Sequence, residues 1–411
     1  MKARWRHCID VKNGLFEIMN QGQHAEFIVK KYTSSPNKGS KDRKFISEAL
    51  FTIVKNFSYY QYLAKGLSDH KDIDEDIINA YLFEQGIDAP DGPDWKKSNI
   101  NEMAERKKAI QDIPHLLYSM PLWMDEIGTA SLGEKWQDIR KISVEQAPIY
   151  IRINFIKTNM QEVVNYFSSL GIDHEVLSED CILLKQRINL LNDIAYQGGW
   201  FEIQDMGSQS IGHFAHPNAN SFVIDACAGS GGKALHMASL MGNTGQILAL
   251  DINEKGLANL KIRARRAGAD IIGSSNYSDD EKIKSLQASA DLVLCDVPCS
   301  ATGVMRREID KKWRLTQEKI HHLLETQRQI MSDASKWVKP GGKLVYSTCS
   351  VFPMENEDQV NQFLTSNPDF KKLEAVQLFP ESGGHDGFYM CSMMRRCLIS
   401  VEKLHSSADE T

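Results

Sequence analysis

The chain has 411 residues, 42% of them apolar and 25% charged, with a formal net charge of −6. That is enough apolar material for two or three packed domains, and it excludes a disordered or collagen-like chain. No apolar run reaches the roughly 18 residues of a membrane span, and the start Met-Lys-Ala-Arg-Trp-Arg-His-Cys lacks a signal-peptide core. A cytoplasmic protein with no membrane partner is expected.

The eight cysteines are scattered, with no C-x-x-C pair and no zinc spacing, so reduced thiols and no metal site are predicted. The net charge gives no global sign of nucleic-acid binding; only a local basic patch could supply one.

Residues 1–145 read as an all-helical domain. Apolar residues at helix spacing (Phe45, Leu50, Ile53, Val54 and Phe57) predict one helix over 45–63, with Tyr59, Tyr60 and Tyr62 as core and rim. Upstream, Lys30, Lys31, Lys38, Lys41, Arg43 and Lys44 form a basic stretch. Such a stretch suits a solvated loop, and also a phosphate backbone. Gly86 to Trp95 is rich in Pro, Gly and Asp and marks a loop.

Residues 146–215 change character. Ile149 to Ile156 alternates as a half-buried strand does, Gln161 to Leu170 reads as a helix, and Cys181–Leu184 and Gly199–Ile203 read as strands. This predicts a small α+β subdomain. Over 216–403 the pattern becomes alternating β and α. Strands are predicted at Phe222–Ala226, Gln246–Asp251, Asp270–Ile272, Leu292–Asp296 and Lys343–Ser347, with helices such as Glu254–Ala267 and Glu318–Trp337 between them. That alternation predicts a doubly wound parallel sheet, an α/β fold. Residues 404–411 are polar and read as a flexible tail.

The first strand of that sheet runs into Cys227, Ala228, Gly229, Ser230, Gly231, Gly232 and Lys233, and a helix follows. Glycines let a backbone approach a ligand, and the helix offers its positive N-terminus. The next strand ends on Asp251, an acid placed to accept the hydroxyls of an adenosine ribose. Gly229-x-Gly231-x-x-Ala234 also fits the dinucleotide pattern, so the loop alone does not separate a nicotinamide cofactor from S-adenosylmethionine. It is not a P-loop, because Ala234 stands where Ser or Thr would hold magnesium.

Two later strands end on cysteine-bearing tips, Asp296-Val297-Pro298-Cys299-Ser300 and Tyr346-Ser347-Thr348-Cys349-Ser350. Ligands of open α/β sheets bind beyond the carboxyl ends of the strands, so both thiols aim at one crevice. A hydride-transferring enzyme has no need of that pair. C5 of cytosine is a poor nucleophile until a thiolate adds to C6, and a second group must then help the C5 proton leave.

Asp296 to Val304 with Arg306-Arg307 resembles the fourth motif of the RsmB/NOP/SUN RNA (cytosine-5) methyltransferases, and Tyr346 to Ser350 with Pro353, Glu355, Asn356 and Glu357 resembles their sixth. Asp225-Ala226-Cys227 with Gly231-Gly232-Lys233 is similar to the first. Gln204 to Gln209, His385 to Tyr389 and Arg152-x-Asn154 are similar to flanking motifs, the last in the RNA-facing subdomain. Together these cover about 147 to 400. The helical part, with Asp42-Arg43-Lys44-Phe45, resembles the NusB-like domain of the bacterial RsmB branch.

The resemblance implies a Rossmann-like class I S-adenosylmethionine methyltransferase domain, preceded by a small RNA-binding subdomain. It implies Cys349 as the nucleophile on C6, Cys299 assisting proton removal and release, Asp296 binding the base, and Lys233 lining the same pocket. It implies that Cys227 to Lys233, Asp251, Asn276 and Asp296 surround the cofactor. The implied substrate is RNA, rRNA first and tRNA as the alternative, acted on by a monomer. A non-catalytic RNA-binding assembly factor on the same fold is the reading from another class. The chain departs from the family pattern in three places, the first of them two residues long. Gly229-Ser230 replaces Ala-Pro, Ala301 replaces a glycine, and Asn276 or Ser275 stands where an aspartate is usual. None touches the cysteines, so the chemistry should survive while cofactor affinity differs.

His321 and His322 read as surface residues of the long helix. Arg306, Arg307, Lys311, Lys312 and Arg314 form a basic run beside the crevice, where phosphate contact is the expectation.

Overall fold

The computed structural model of the chain describes residues 2–67 and 72–397; the polar tail 404–411 lies outside them. Contacts divide the chain into two units, residues 1–147 with 300–320, and 148–299 with the chain from 321 onward.

In the first unit, the helices Trp5–Met19, Ala25–Thr33, Ser40–Lys55, Phe57–Lys65 and Glu75–Glu84 share one core, with Leu15, Ile28, Leu50, Ile53 and Ile78 buried. The helix predicted over 45–63 is broken at Asn56, whose backbone is at φ −112° and ψ 35°. Side chains satisfy the last carbonyls of the first half. Lys312 Nζ donates to Lys55 O at 3.0 Å and Trp313 Nε1 to Val54 O at 2.7 Å. A helix end leaves such carbonyls unpaired, and its partial negative charge favours a cation.

The basic run is therefore not one continuous exposed stripe. Lys312 is buried as a cap, Arg306 is buried, and Arg314 pairs with Asp310 at 2.9 Å. The sequence assigns 300–320 to the catalytic domain, yet this segment packs with the helices, and Ile309 enters their core. Tyr60 and Tyr62 are buried, as the spacing predicts. Of the upstream basic stretch, Lys31 and Lys38 are held by Glu17 and Asp10 at 2.7 and 2.8 Å.

Ala301 sits at φ +60°, in the left-handed region that costs a side chain about 1 kcal/mol. Ala301→Gly is expected to stabilise the protein by about 0.5–1 kcal/mol. The measurement is a higher urea midpoint at unchanged slope.

The second unit holds two sheets. The smaller contains β1 (Ile149–Ile153), β2 (His174–Val176), β3 (Cys181–Leu184) and β4 (Phe201–Ile203), ordered β2-β3-β1-β4 and antiparallel throughout. Ile151, Ile153, Phe167, Ile182 and Phe201 fill its core. Its loop residue Asp180 is buried, and one carboxylate oxygen meets Nε2 of both His213 and His236 at 2.9 and 3.0 Å. Those histidines lie on the helices Met206–Ala215 and Gly232–Leu240, so this cluster ties the small sheet to the helices beside the large one.

The larger sheet contains β5 (Phe222–Asp225), β6 (Gln246–Asp251), β7 (Ile272–Asn276), β8 (Ala290–Asp296), β9 (Val338–Thr348), β10 (Phe370–Leu378) and β11 (Phe388–Arg395). The order is β10-β11-β9-β8-β5-β6-β7. From β7 to β9 the pairing is parallel, and β5, β6, β8 and β9 are largely buried apolar runs, as strands covered on both faces require, while the edge strand β7 is polar and only partly buried. The chain reverses direction of growth between β5 and β8, the place where such sheets bind ligands. The sequence predicts a parallel sheet only. In fact β11 inserts antiparallel between β9 and β10, and β7 begins at Ile272, where Asp270–Ile272 was expected.

Candidate active site

Strands β8 and β9 run parallel in register, Asp296 opposite Ser347, and Val297 N donates to Ser347 O at 3.0 Å. Three residues past Asp296 and two past Ser347, the chain reaches Cys299 and Cys349 at nearly the same height. Their sulfurs are 3.2 Å apart. Cys299 is 2% exposed, whereas Cys349 is partly open to solvent.

Gln327, which the sequence did not single out, and the side chains of the sixth motif hold both tips. Gln327 Nε2 donates to Pro298 O and to Glu355 Oε1, each at 3.0 Å, and Tyr346 Oη donates to Glu355 O at 2.6 Å. Thr348 Oγ1 donates to Asn356 Oδ1 at 2.6 Å, and Asn356 Nδ2 returns to Ser350 O at 3.0 Å. Gln327, Glu355 and Asn356 are fully buried, so the bonds are made away from water, where leaving one unmade is costly. Gln327 gives no sequence signal, being one polar position on an amphipathic helix.

Asp296 has a charged partner. Its Oδ2 is 2.6 Å from Lys233 Nζ, and its Oδ1 accepts from Ser347 Oγ at 3.0 Å. Burial alone would pull the Lys233 ammonium down; Asp296 outweighs it, and Cys349 and Asp225 add to the upward shift. The ammonium is thus held charged beside the sulfur. Asp225, behind them and fully buried, is pushed up to about 7 by burial and by the Asp296 charge. The four residues predicted to do chemistry, Cys349, Cys299, Asp296 and Lys233, are therefore together.

Next to them opens a cavity of about 670 Å³, within the range of small-molecule sites. Cys227, Asp251 and Asp296 line it among the predicted cofactor residues. The walls that sequence reasoning missed are Ile252, Tyr277, Ile330 and Trp337, an apolar stretch of the lining. Asp251 takes the N–H groups of Gly229 and Asn253 at 2.7 Å each and so ties the glycine loop to the tip of β6. Gly229 and Gly231 are at φ +52° and +86°, and a Cβ on Gly231 would strike Leu260 at 2.6 Å. Asn276 does not line the cavity. Its amide donates to Ile252 O, and the next residue, Tyr277, forms the wall in its place. An acid for ribose hydroxyls, an apolar wall for adenine and a glycine turn with open space over Gly229 and Gly232 fit S-adenosylmethionine.

Two guanidinium groups grip the outer side of the loop. Arg263 donates to Ser230 O at 2.9 Å and Ser230 Oγ at 3.0 Å while bound to Glu202 of β4, and Arg152 of β1 donates to Gly232 O at 2.8 Å. Ser230, one of the departures from the family pattern, thereby gains a partner that a proline could not offer. Arg152 and Asn154 are 1% and 3% exposed, and Asn154 bonds Gly199 O and Ala267 O. Within the subdomain to which the sequence assigns this motif, both side chains are turned inward, and Arg152 reaches the glycine loop. His321 and His322 are exposed and take no part.

Comparison with known proteins agrees with this geometry. The profile of the 16S rRNA methyltransferase RsmB/F family matches residues 213–394, and that of the RsmF/B-like ferredoxin-like domain matches 120–190. Ribosomal RNA small subunit methyltransferase B of Shewanella oneidensis is 33% identical over 293 residues, 68% of each chain. The protein of Bacillus subtilis described as a probable ribosomal RNA small subunit methyltransferase B is 32% identical over 311 residues, 71% of this chain and 68% of its own. Among solved structures, PH0851 superposes with a TM-score of 0.74 at 21% identity, over 93% of this chain and 98% of its own. A methyltransferase homolog protein from Pyrococcus horikoshii gives 0.61 at 23% identity, over 69% and 98%.

Proposed function

The chain belongs to the RsmB/F family of rRNA methyltransferases, and we propose that it methylates C5 of a cytosine in rRNA through a covalent cysteine intermediate. Cys227, Asp251 and Tyr277 would hold S-adenosylmethionine in the cavity, where its sulfonium would supply an electrophilic methyl group and leave as the neutral thioether S-adenosylhomocysteine. Cys349 adds as a thiolate to C6, forming an S–C6 bond and moving the ring's electron pair to C5, which then takes the methyl. The Asp296–Lys233 pair offers an acceptor and an ammonium donor to the polar edge of the base, where charge develops. Removal of the C5 proton, with Cys299 assisting, re-forms the C5–C6 double bond and expels Cys349. The observation that carries this reading is the sulfur pair itself, 3.2 Å apart, with only Cys349 open to solvent.

The target base must be unpaired or flipped from its helix to reach a thiol at a strand tip. The test offers the protein labelled S-adenosylmethionine with deproteinised rRNA, small ribosomal subunits and tRNA, and maps the product by bisulfite sequencing. Label in rRNA at one protected cytosine is expected. Label in tRNA alone would move the substrate, and RNA binding without label would favour a non-catalytic assembly factor.

A further inference from the structure

The first unit contains a cavity of its own, of about 430 Å³. Phe57, Trp123 and Trp313 supply its aromatic walls, Asn20 and Gln61 bring amides, and Lys312 brings an ammonium. No carboxylate lines it among the described residues. Trp313 is fixed by its bond to Val54 O and by edge-on packing against Phe57 at 5.7 Å between ring centres. Lys312 is 2% exposed, donates one N–H to Lys55 O, and holds its ammonium 5.0 Å over the Trp313 ring, with no carboxylate in the cavity lining. Burial pulls this ammonium down to about 7, the mark of a cation short of negative partners.

We propose that this cavity receives one unpaired nucleotide of the RNA substrate, other than the one methylated. The chemistry matches feature by feature. Aromatic side chains stack on any base, and amides pair with base edges as donor and acceptor together. A buried cation with no acid nearby suits a ligand that carries phosphate. The volume lies within the ordinary range for a pocketed small-molecule group. Trp313 and Lys312 lie 13 to 14 residues after Cys299 in the chain, so the segment that carries one catalytic thiol also builds this pocket. The inference rests on the RNA reading above and adds a second anchoring point to it.

The test uses the full chain and two conservative variants, Trp123→Leu and Gln61→Ala. Deproteinised rRNA and short single-stranded oligoribonucleotides of each base serve as probes. Loss of one stacked base predicts a weakening of RNA binding by about 5- to 100-fold in Trp123→Leu, with cofactor affinity and melting temperature unchanged. Ultraviolet cross-links from the wild-type complex should map to peptides containing Phe57, Trp123 or Trp313. RNA affinity and KM within twofold of wild type in both variants, with cross-links confined to residues 148–299 and beyond 320, would overturn the pocket and leave the methyltransferase reading standing. Failure of the wild-type protein to methylate any RNA would sink that reading, while the cross-links would still judge the pocket.

Discussion

Cys349→Ala is expected to lower methyl transfer to RNA by at least about 10³-fold, because C5 of cytosine gains nucleophilic character only while a thiolate is attached to C6. The substitution removes a partly exposed side chain at the end of β9 and leaves the buried net of Gln327, Glu355 and Asn356 intact. Cys349 does not line the cofactor cavity, so affinity for S-adenosylhomocysteine should stay within about twofold of wild type. A loss in kcat with cofactor binding preserved is the signature of a missing nucleophile. A loss of both would point to local collapse.

Cys299→Ala should do something different. The buried sulfur 3.2 Å from Cys349 is placed to help the adduct break down once the methyl has been transferred. Without it, addition and methyl transfer proceed while release slows. The expected result is a protein–RNA species that survives denaturing gels and whose yield rises with S-adenosylmethionine. In the double variant Cys299→Ala, Cys349→Ala that species should vanish. An adduct that persists in the double variant would mean that another side chain attacks the base.

Much of this site was legible in the chain because its signals are local. A strand-length apolar run ending in Pro298-Cys299 or Thr348-Cys349 fixes which end of the sheet carries the thiols, and the parallel fold does the rest. The glycine loop and Asp251 are equally local. The unread features depend on distant partners. Strand β11 is a mostly apolar run interrupted by Ser392, paired with β9 on one side and β10 on the other, and nothing in it marks its direction. The break at Asn56 follows a continuous helical pattern and is sealed by Lys312 and Trp313, more than 250 residues away. The same distance effect misled the reading of the basic run, since nothing in Arg306 to Arg314 announces that its lysine caps a helix. Tyr277 carries no motif signal, since the polar position usual in the family is Asn276, one residue earlier, whose side chain turns to Ile252 O.

The central claim concerns which sulfur bonds to the base. An RNA substrate carrying 5-fluorocytidine at the target position lets the thiolate add and the methyl transfer, but fluorine cannot leave as a proton does, so the adduct is trapped. Digestion and mass spectrometry of that adduct should place the nucleotide on the peptide containing Cys349. A nucleotide on the peptide containing Cys299, or methylation of ordinary RNA with no trapped adduct at all, would contradict the account.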